Sequence, residues 1–408
     1  MQGITCKYDT KITLRKLTLF SIWLYILCAT SMEYNSSLSY LASYSLYLCI
    51  GCCLIFNIAS MKIQVFYVWI LLCIFGIIIY ISSFYTPASS NIVNQYLYRY
   101  WTSIVIILFA LPVFLDFKDI YMILNAYILG GMLLSIFVYS EYGLPNLALT
   151  GERLGNSDEF GNVNTMSMNC SITVVLSVYK IIVQKNKSRF LFILPIIITM
   201  PLLIFSGSRK ALLIVFITIL SLALLTTGRN KKFRSFIWIV IIFLISWYML
   251  NNLASLAFLQ ERFEGLFAVI TGNKGNVAGD ENRVQFIEVG IKHFLKSPIL
   301  GNGFYYSNYL FGTYTHNNYI ELLLNNGIIG FVAYYSIYLY LFLISNKLNP
   351  SNRKAFILIR LILIVYLVAG IGVVTYYDRL HLLLFAILSI TGVITKNYGG
   401  DIDHVRHV

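Results

Sequence analysis

Charge is scarce in this chain. Asp, Glu, Lys and Arg make up 12% of its 408 residues, while 58% are hydrophobic. A soluble domain carries about twice that charge. A single soluble globular domain is therefore excluded, and the apolar content excludes a disordered chain. Cysteine is missing from the long polar segments. Cys28, Cys49, Cys52, Cys53, Cys73 and Cys170 lie in apolar runs and Cys6 lies in a basic N-terminal stretch, so neither a disulfide framework nor a cysteine metal site is expected. There is no Walker motif and no HExxH pair, and the outward acids do not cluster as a metal cage needs. No convincing internal repeat and no mid-span carboxylate is visible, which argues against an inverted-repeat or proton-coupled carrier.

What is present is apolar sequence in runs of roughly 15–25 residues, the length of a bilayer-spanning helix. A β-barrel would instead alternate apolar and polar residues. The reading is an all-α polytopic membrane protein with twelve spans: 17–32, 38–59, 63–83, 97–115, 120–140, 163–183, 190–206, 210–227, 235–256, 317–345, 355–375 and 379–396. The first is not read as a cleaved signal peptide, because eleven further spans follow it.

Basic residues orient the bundle. With both termini cytoplasmic, 20 of the 30 basic residues lie inside, including the blocks KNKSR, GRNKKFR and NKLNPSNRK, alongside five acids. The net charge of +13 is then a topogenic signal, not a nucleic-acid surface. Ten basic residues face outward: Arg99, Arg153, Arg209, Lys210, Arg262, Lys274, Arg283, Lys292, Lys296 and Arg379. Six are arginine, whose planar fork matches phosphate and carboxylate. Some of these can pair with outward acids; the others suggest a site for an anion.

Two outer loops are long, 141–162 and 257–316, and the second is too long for a passive connector. The chain thus divides into nine spans (1–256), a large outer loop (257–316), and three spans with a cytoplasmic tail (317–408). Within the loop, 281–296 reads as a helix lying on the membrane surface, its apolar stripe being Val284, Ile287, Ile291 and Phe294 or Leu295. Arg283 sits in its first turn and is compatible with a plain interfacial helix as well as a ligand site. His293, beside Lys292, reads as solvated.

In GTYTHNNYIELLLNNGIIG, Thr315 can cap the tenth span, which places His316 in its first turn. The positive helix end there favours a neutral ring able to act as a base near pH 7. A simple hydrogen-bonding role is the other possibility. In SGSRKALL, Ser206 and Gly207 end one span, and Ser208 can cap the next. Arg209 and Lys210 then stand at a helix N-terminus, where free N–H groups and two cations suit an anion. Ordinary snorkelling is the alternative. Weaker signals are Arg153 in GERLGNSDEFGNVN and the cluster Asp378, Arg379 and His381, in which Arg379 is expected to pair with Asp378 or another carboxylate. His404 and His407 in the tail carry no signal. Tyr305, Tyr306, Tyr309 and Tyr314 can stack on sugar rings or sit in the interface.

SGSRKALL, then Arg283 with SPILGNG after it, then THNNYIELLLNNGIIG, resembles in that order the O-antigen polymerase and O-antigen ligase superfamily. The resemblance is specific over about 206–330 and architectural elsewhere. It implies a GT-C-like, metal-independent, inverting membrane glycosyltransferase without a cofactor. Its donor would be an undecaprenyl-pyrophosphate-linked glycan. Arg209, Arg283 and the pair His316 and Asn317 match the family's motif residues. Arg209 and Arg283 would clamp the pyrophosphate and His316 would take the acceptor proton. Lys210, Arg153, Tyr314 and Arg379 join the substrate-binding set. The implied setting is the bacterial inner membrane, with the site on the outer face and a chain-length regulator as a further partner. Polymerisation of repeat units is favoured over ligation to lipid A–core, and a polysaccharide flippase is a third reading.

Overall fold

The structure, a computed structural model, describes residues 2–33, 35, 37–60, 66–143, 163–184, 186–226, 280–348 and 352–397. Among them are thirteen α-helices and no strand. They are α1 (Gln2–Met32), α2 (Ser39–Ser60), α3 (Tyr67–Ser82), α4 (Ser90–Ala110), α5 (Phe117–Tyr142), α6 (Val163–Val183), α7 (Ile193–Phe205), α8 (Arg209–Thr226), α9 (Asp280–Lys296), α10 (Tyr306–Phe311), α11 (Asn318–Asn346), α12 (Arg353–Gly370) and α13 (Arg379–Asn397). Eight are long and apolar enough to cross a membrane, and Tyr67–Ser82 and Arg379–Thr391 are shorter apolar helices. The protein is a polytopic helical membrane protein.

Eleven of the twelve expected spans fall on helices. The expected span 235–256 lies outside the described residues, as do Arg153, Arg262, Lys274, the basic block 229–234 and the tail histidines. The largest shift is in α1, which begins at Gln2 rather than 17, and α4 begins at Ser90 rather than 97. The first two turns of α4, with Asn94 and Gln95, are too polar for a hydropathy reading to include. α12 stops at Gly370 and the chain then runs as a turn-rich segment, 371–378, into α13.

Small residues let the central helices touch. A β-carbon on Gly130 or Gly131 of α5 would collide with Thr30 of α1 or Thr173 of α6, the close backbone approach that helix pairs in lipid use. Buried hydroxyls have no water to turn to, so they return to the carbonyl one turn back: Thr30 to Ile26, Ser135 to Gly131, Ser171 to Ser167 and Ser177 to Thr173. Cys28, Cys49, Cys52, Cys53, Cys73 and Cys170 are free, and all but Cys73 are buried.

Polar contacts mark the two ends of the bundle. At one, Arg15 pairs with Asp119 in the capping box of α5, and Arg353 donates to the Leu225 and Thr226 carbonyls. At the other lie the starts of α8, α11 and α13.

α11 is not continuous. Gly327 has φ 62° and ψ −165°, a conformation open essentially to glycine alone. The helix breaks there, and the turn 298–303 fills the gap. The N–H groups of Asn302 and Gly303 donate to the carbonyls of Leu324 (3.0 Å) and Asn325 (2.9 Å), and the N–H of Ile328 donates to Pro298 (2.9 Å). Asn326 Nδ2 donates to Ser82 Oγ of α3 (2.8 Å), which anchors the break to the bundle. SPILGNG and NNGIIG are thus two halves of one structure.

α9 packs on the N-terminal part of α11 through Gly290, whose missing side chain admits Ile320. Phe286 meets Phe311 of α10 with ring centroids 4.5 Å apart. The expected stripe points elsewhere: Val284, Ile291 and Leu295 are exposed, as are Ile299 and Leu300 just after the helix. The expectation for His293 is corrected. It is half-buried, with Nδ1 3.0 Å from the Tyr306 hydroxyl, because its face of α9 is the one turned to α10.

Candidate functional site

The segment from Tyr314 to Asn318 is held by side chains on both sides. Asn317, not Thr315, caps α11: its Oδ1 accepts from the N–H groups of Tyr319 (3.0 Å) and Ile320 (3.2 Å). Asparagine precedes the helix with the extended backbone a cap requires. His316 therefore stands one residue before the cap rather than in the first turn. It is left-handed, φ 57°, an uncommon state for a residue with a β-carbon. Such a state persists only where its surroundings over-determine it.

Glu321 supplies much of that constraint. Fully buried, its carboxylate accepts from the Thr315 N–H (2.7 Å), the Ser307 hydroxyl (2.5 Å) and Asn325 Nδ2 (3.1 Å). The Thr315 hydroxyl donates to the Asn317 carbonyl at 2.9 Å. Sequence reasoning passed over Glu321, although it is the only charged residue between 317 and 345.

Segment 371–378 ties the other elements to this loop. The Thr375 N–H donates to Asn318 Oδ1 at 2.9 Å. From the other side, the Lys210 ammonium donates to the Gly372 carbonyl. Arg209 and Lys210 are half-buried and open α8 after a turn made by Gly207 at φ 60°. The Ser171 hydroxyl reaches the Ala211 carbonyl at 3.2 Å, fixing the start of α8 against α6. Arg283 lies in the first turn of α9; its side chain lies outside the described residues.

A cavity of about 280 Å³ opens beside this assembly. Tyr314 lines it, and the Tyr314 ring lies 4.1 Å from the His316 ring. Its other walls include Tyr96, Arg99, Asn169, Tyr377, Asp378 and His381. The expectation for Arg379 is corrected. Asp378 lies 3.8 Å from Arg99, which binds Glu33 at 2.7 Å. Arg379 makes no ion pair among the described residues and its Nε is buried without a partner. Adjacent residues at a helix start point their side chains apart, so Asp378 turns to α4 and also accepts from the His381 N–H (2.8 Å).

The structure thus brings Lys210, Asn317 and Tyr314 to one end of the bundle with His316, through segment 371–378 and the cavity. Arg99, Asn169 and Glu321 are additions that no sequence motif marked.

Residues 191–335 match the family model described as O-antigen ligase, so this segment is similar to that family. The match contains Arg209, Lys210, Arg283, Tyr314, His316 and Asn317 and excludes Arg153 and Arg379. No curated protein matches the chain.

Proposed function

From a chain whose segment 191–335 carries the O-antigen ligase family pattern, we propose a membrane glycosyltransferase that polymerises undecaprenyl-pyrophosphate-linked repeat units into O-antigen or capsular polysaccharide. The observation that carries this reading is the left-handed His316, held by Glu321, Thr315 and Asn317 beside a cavity at the end of the bundle where α8 begins.

In the reaction, an acceptor sugar hydroxyl attacks the anomeric carbon of the donor. The bond from that carbon to the phosphate oxygen breaks on the opposite face, and the configuration inverts. His316 takes the hydroxyl proton as the new bond forms. Undecaprenyl pyrophosphate leaves with its electron pair, and Arg209 and Arg283 meet the charge that develops on it. Two preorganised cations away from bulk water can supply several kcal/mol to that step. Lys210 is committed to Gly372 and acts by holding segment 371–378 to α8. The site would face the outer side of the cytoplasmic membrane.

The match to an O-antigen ligase family favours a second reading, ligation of the finished glycan to lipid A–core. Deletion of the gene in its own host, with complementation by wild type or His316→Ala, tests both. Loss of long chains with single repeats still attached supports polymerisation. Loss of all attached glycan supports ligation. Glycan trapped on the cytoplasmic side overturns both in favour of a flippase.

A further inference from the structure

The cavity beside His316 contains polar atoms that the proposed transfer does not use. Asn169 of α6 is 8% exposed and His381 of α13 is 1% exposed. Both line the cavity, and neither Asn169 Nδ2 nor His381 Nδ1 has a hydrogen-bond partner among the described residues. On its other side the imidazole is fixed, with Nε2 2.9 Å from the Tyr334 hydroxyl. Tyr366 and Phe385 pack on the ring, with centroids 3.9 Å and 4.3 Å away. Buried polar groups in native proteins are almost always paired. Two that are unpaired on one small cavity point to a ligand that pairs them.

Charge narrows the ligand class. Arg99 is the cation on the wall, and it is matched by Glu33 at 2.7 Å and Asp378 at 3.8 Å. Among the residues that line the cavity, Arg99 and Asp378 are the charged pair and leave no net positive charge for phosphate. Tyr314 and Tyr377 supply aromatic surface, suited to a flat apolar face with polar edges. The volume of about 280 Å³ falls at or below the ~300–1,000 Å³ of a drug-sized site, so it suits one ring of a longer chain.

We propose that this cavity binds one neutral sugar ring of the acceptor glycan, Asn169 and His381 reading its hydroxyls and the tyrosines its face. The acceptor assignment rests on His316 being the base, because Tyr314 lies against that ring and also lines the cavity.

Saturation-transfer NMR on the full-length chain in detergent tests this without turnover. The probes are the methyl glycosides of glucose, galactose, mannose and N-acetylglucosamine, with inorganic pyrophosphate as competitor. At least one glycoside should bind wild type, and binding should fall tenfold or more in Asn169→Leu and in His381→Phe. Gly51→Ala, in open space on α2, should bind as wild type does. Should either cavity variant fail to fold, Tyr314→Leu at the half-buried rim takes its place with the same expected loss. The proposal is overturned if no glycoside binds wild type, if folded cavity variants bind within twofold of it, or if pyrophosphate displaces the glycoside. Because binding is read without donor, an inactive but glycoside-binding protein would discredit the transfer reaction and leave the cavity assignment standing. An active protein whose binding ignores Asn169 and His381 would do the reverse.

Discussion

The carboxylate of Glu321 accepts the backbone N–H of Thr315 at 2.7 Å, reaching back from the first turn of α11 to the residue before His316. Every partner of this carboxylate is a donor. Glutamine would turn an NH₂ group toward one of them. A buried group left unpaired costs about 1–3 kcal/mol. Glu321→Gln should lower the thermal midpoint of the purified protein and reduce polymer formation, with Glu321→Ala worse on both. Wild-type values for Glu321→Gln would remove Glu321 from the positioning of His316.

Arg209→Lys and Arg283→Lys should each lose most activity although charge is kept, because the ammonium cannot make the bidentate fork to phosphate. Arg262→Lys should be mild. Turnover of a defined lipid-linked repeat measures this, and the same assay with EDTA should proceed at an unchanged rate, since the two guanidiniums supply the positive charge. Full activity of both lysine variants would rule out the pyrophosphate clamp.

His316→Ala should lose about 10²–10⁴-fold in rate, the usual worth of a general base, while His293→Ala stays near normal. The two histidines should also separate by pH. Burial, reinforced by Lys296, pushes the imidazole of His293 below its ordinary value. The folded protein therefore takes up this proton less readily than the unfolded chain does. The stabilisation is present at neutral pH and is lost as pH falls through and below about 6.5. His293→Gln should flatten that part of the stability profile measured between pH 5 and 8.

Topology can be read by cysteine labelling at Asn273 and Asn230. An impermeant reagent applied to intact cells should reach the first and not the second, because the surrounding basic residues place them on opposite sides. Labelling at Asn230 would invert the arrangement.

Gly327→Ala should be destabilising by about 1–3 kcal/mol. Its β-carbon would meet the Ile299 carbonyl and the Gly301 N–H, at a φ of 62°. Yield and thermal midpoint in detergent are the readouts. Gly51→Ala, with open space around it, is the control and should behave as wild type.

Apolar run length made the spans legible, because a bilayer leaves the backbone no other partner than its own helix. Turn chemistry located Gly207 and the start of α8. The motif around His316 and Asn317 marked the loop but not its geometry. Thr315 and Asn317 are both acceptable caps, and only the claim of Glu321 on the Thr315 N–H selects between them. Partners remote in sequence were illegible for the same reason. Asp378 chooses Arg99 over its neighbour, and Asn169 meets His381 only across the folded bundle. The break at Gly327 was invisible because NNG at an apolar boundary looks like any helix interruption until the turn 298–303 fills it.

That filled break makes the outer loop and the tenth expected span one piece of covalent and hydrogen-bonded architecture. Replacing residues 257–316 with a relative's loop would take the Asn302 and Gly303 N–H donors from the buried Leu324 and Asn325 carbonyls, and a buried group left unmet is expensive. Chimeras that exchange substrate preference should therefore carry their junction beyond Ile329 rather than at the visible end of the loop.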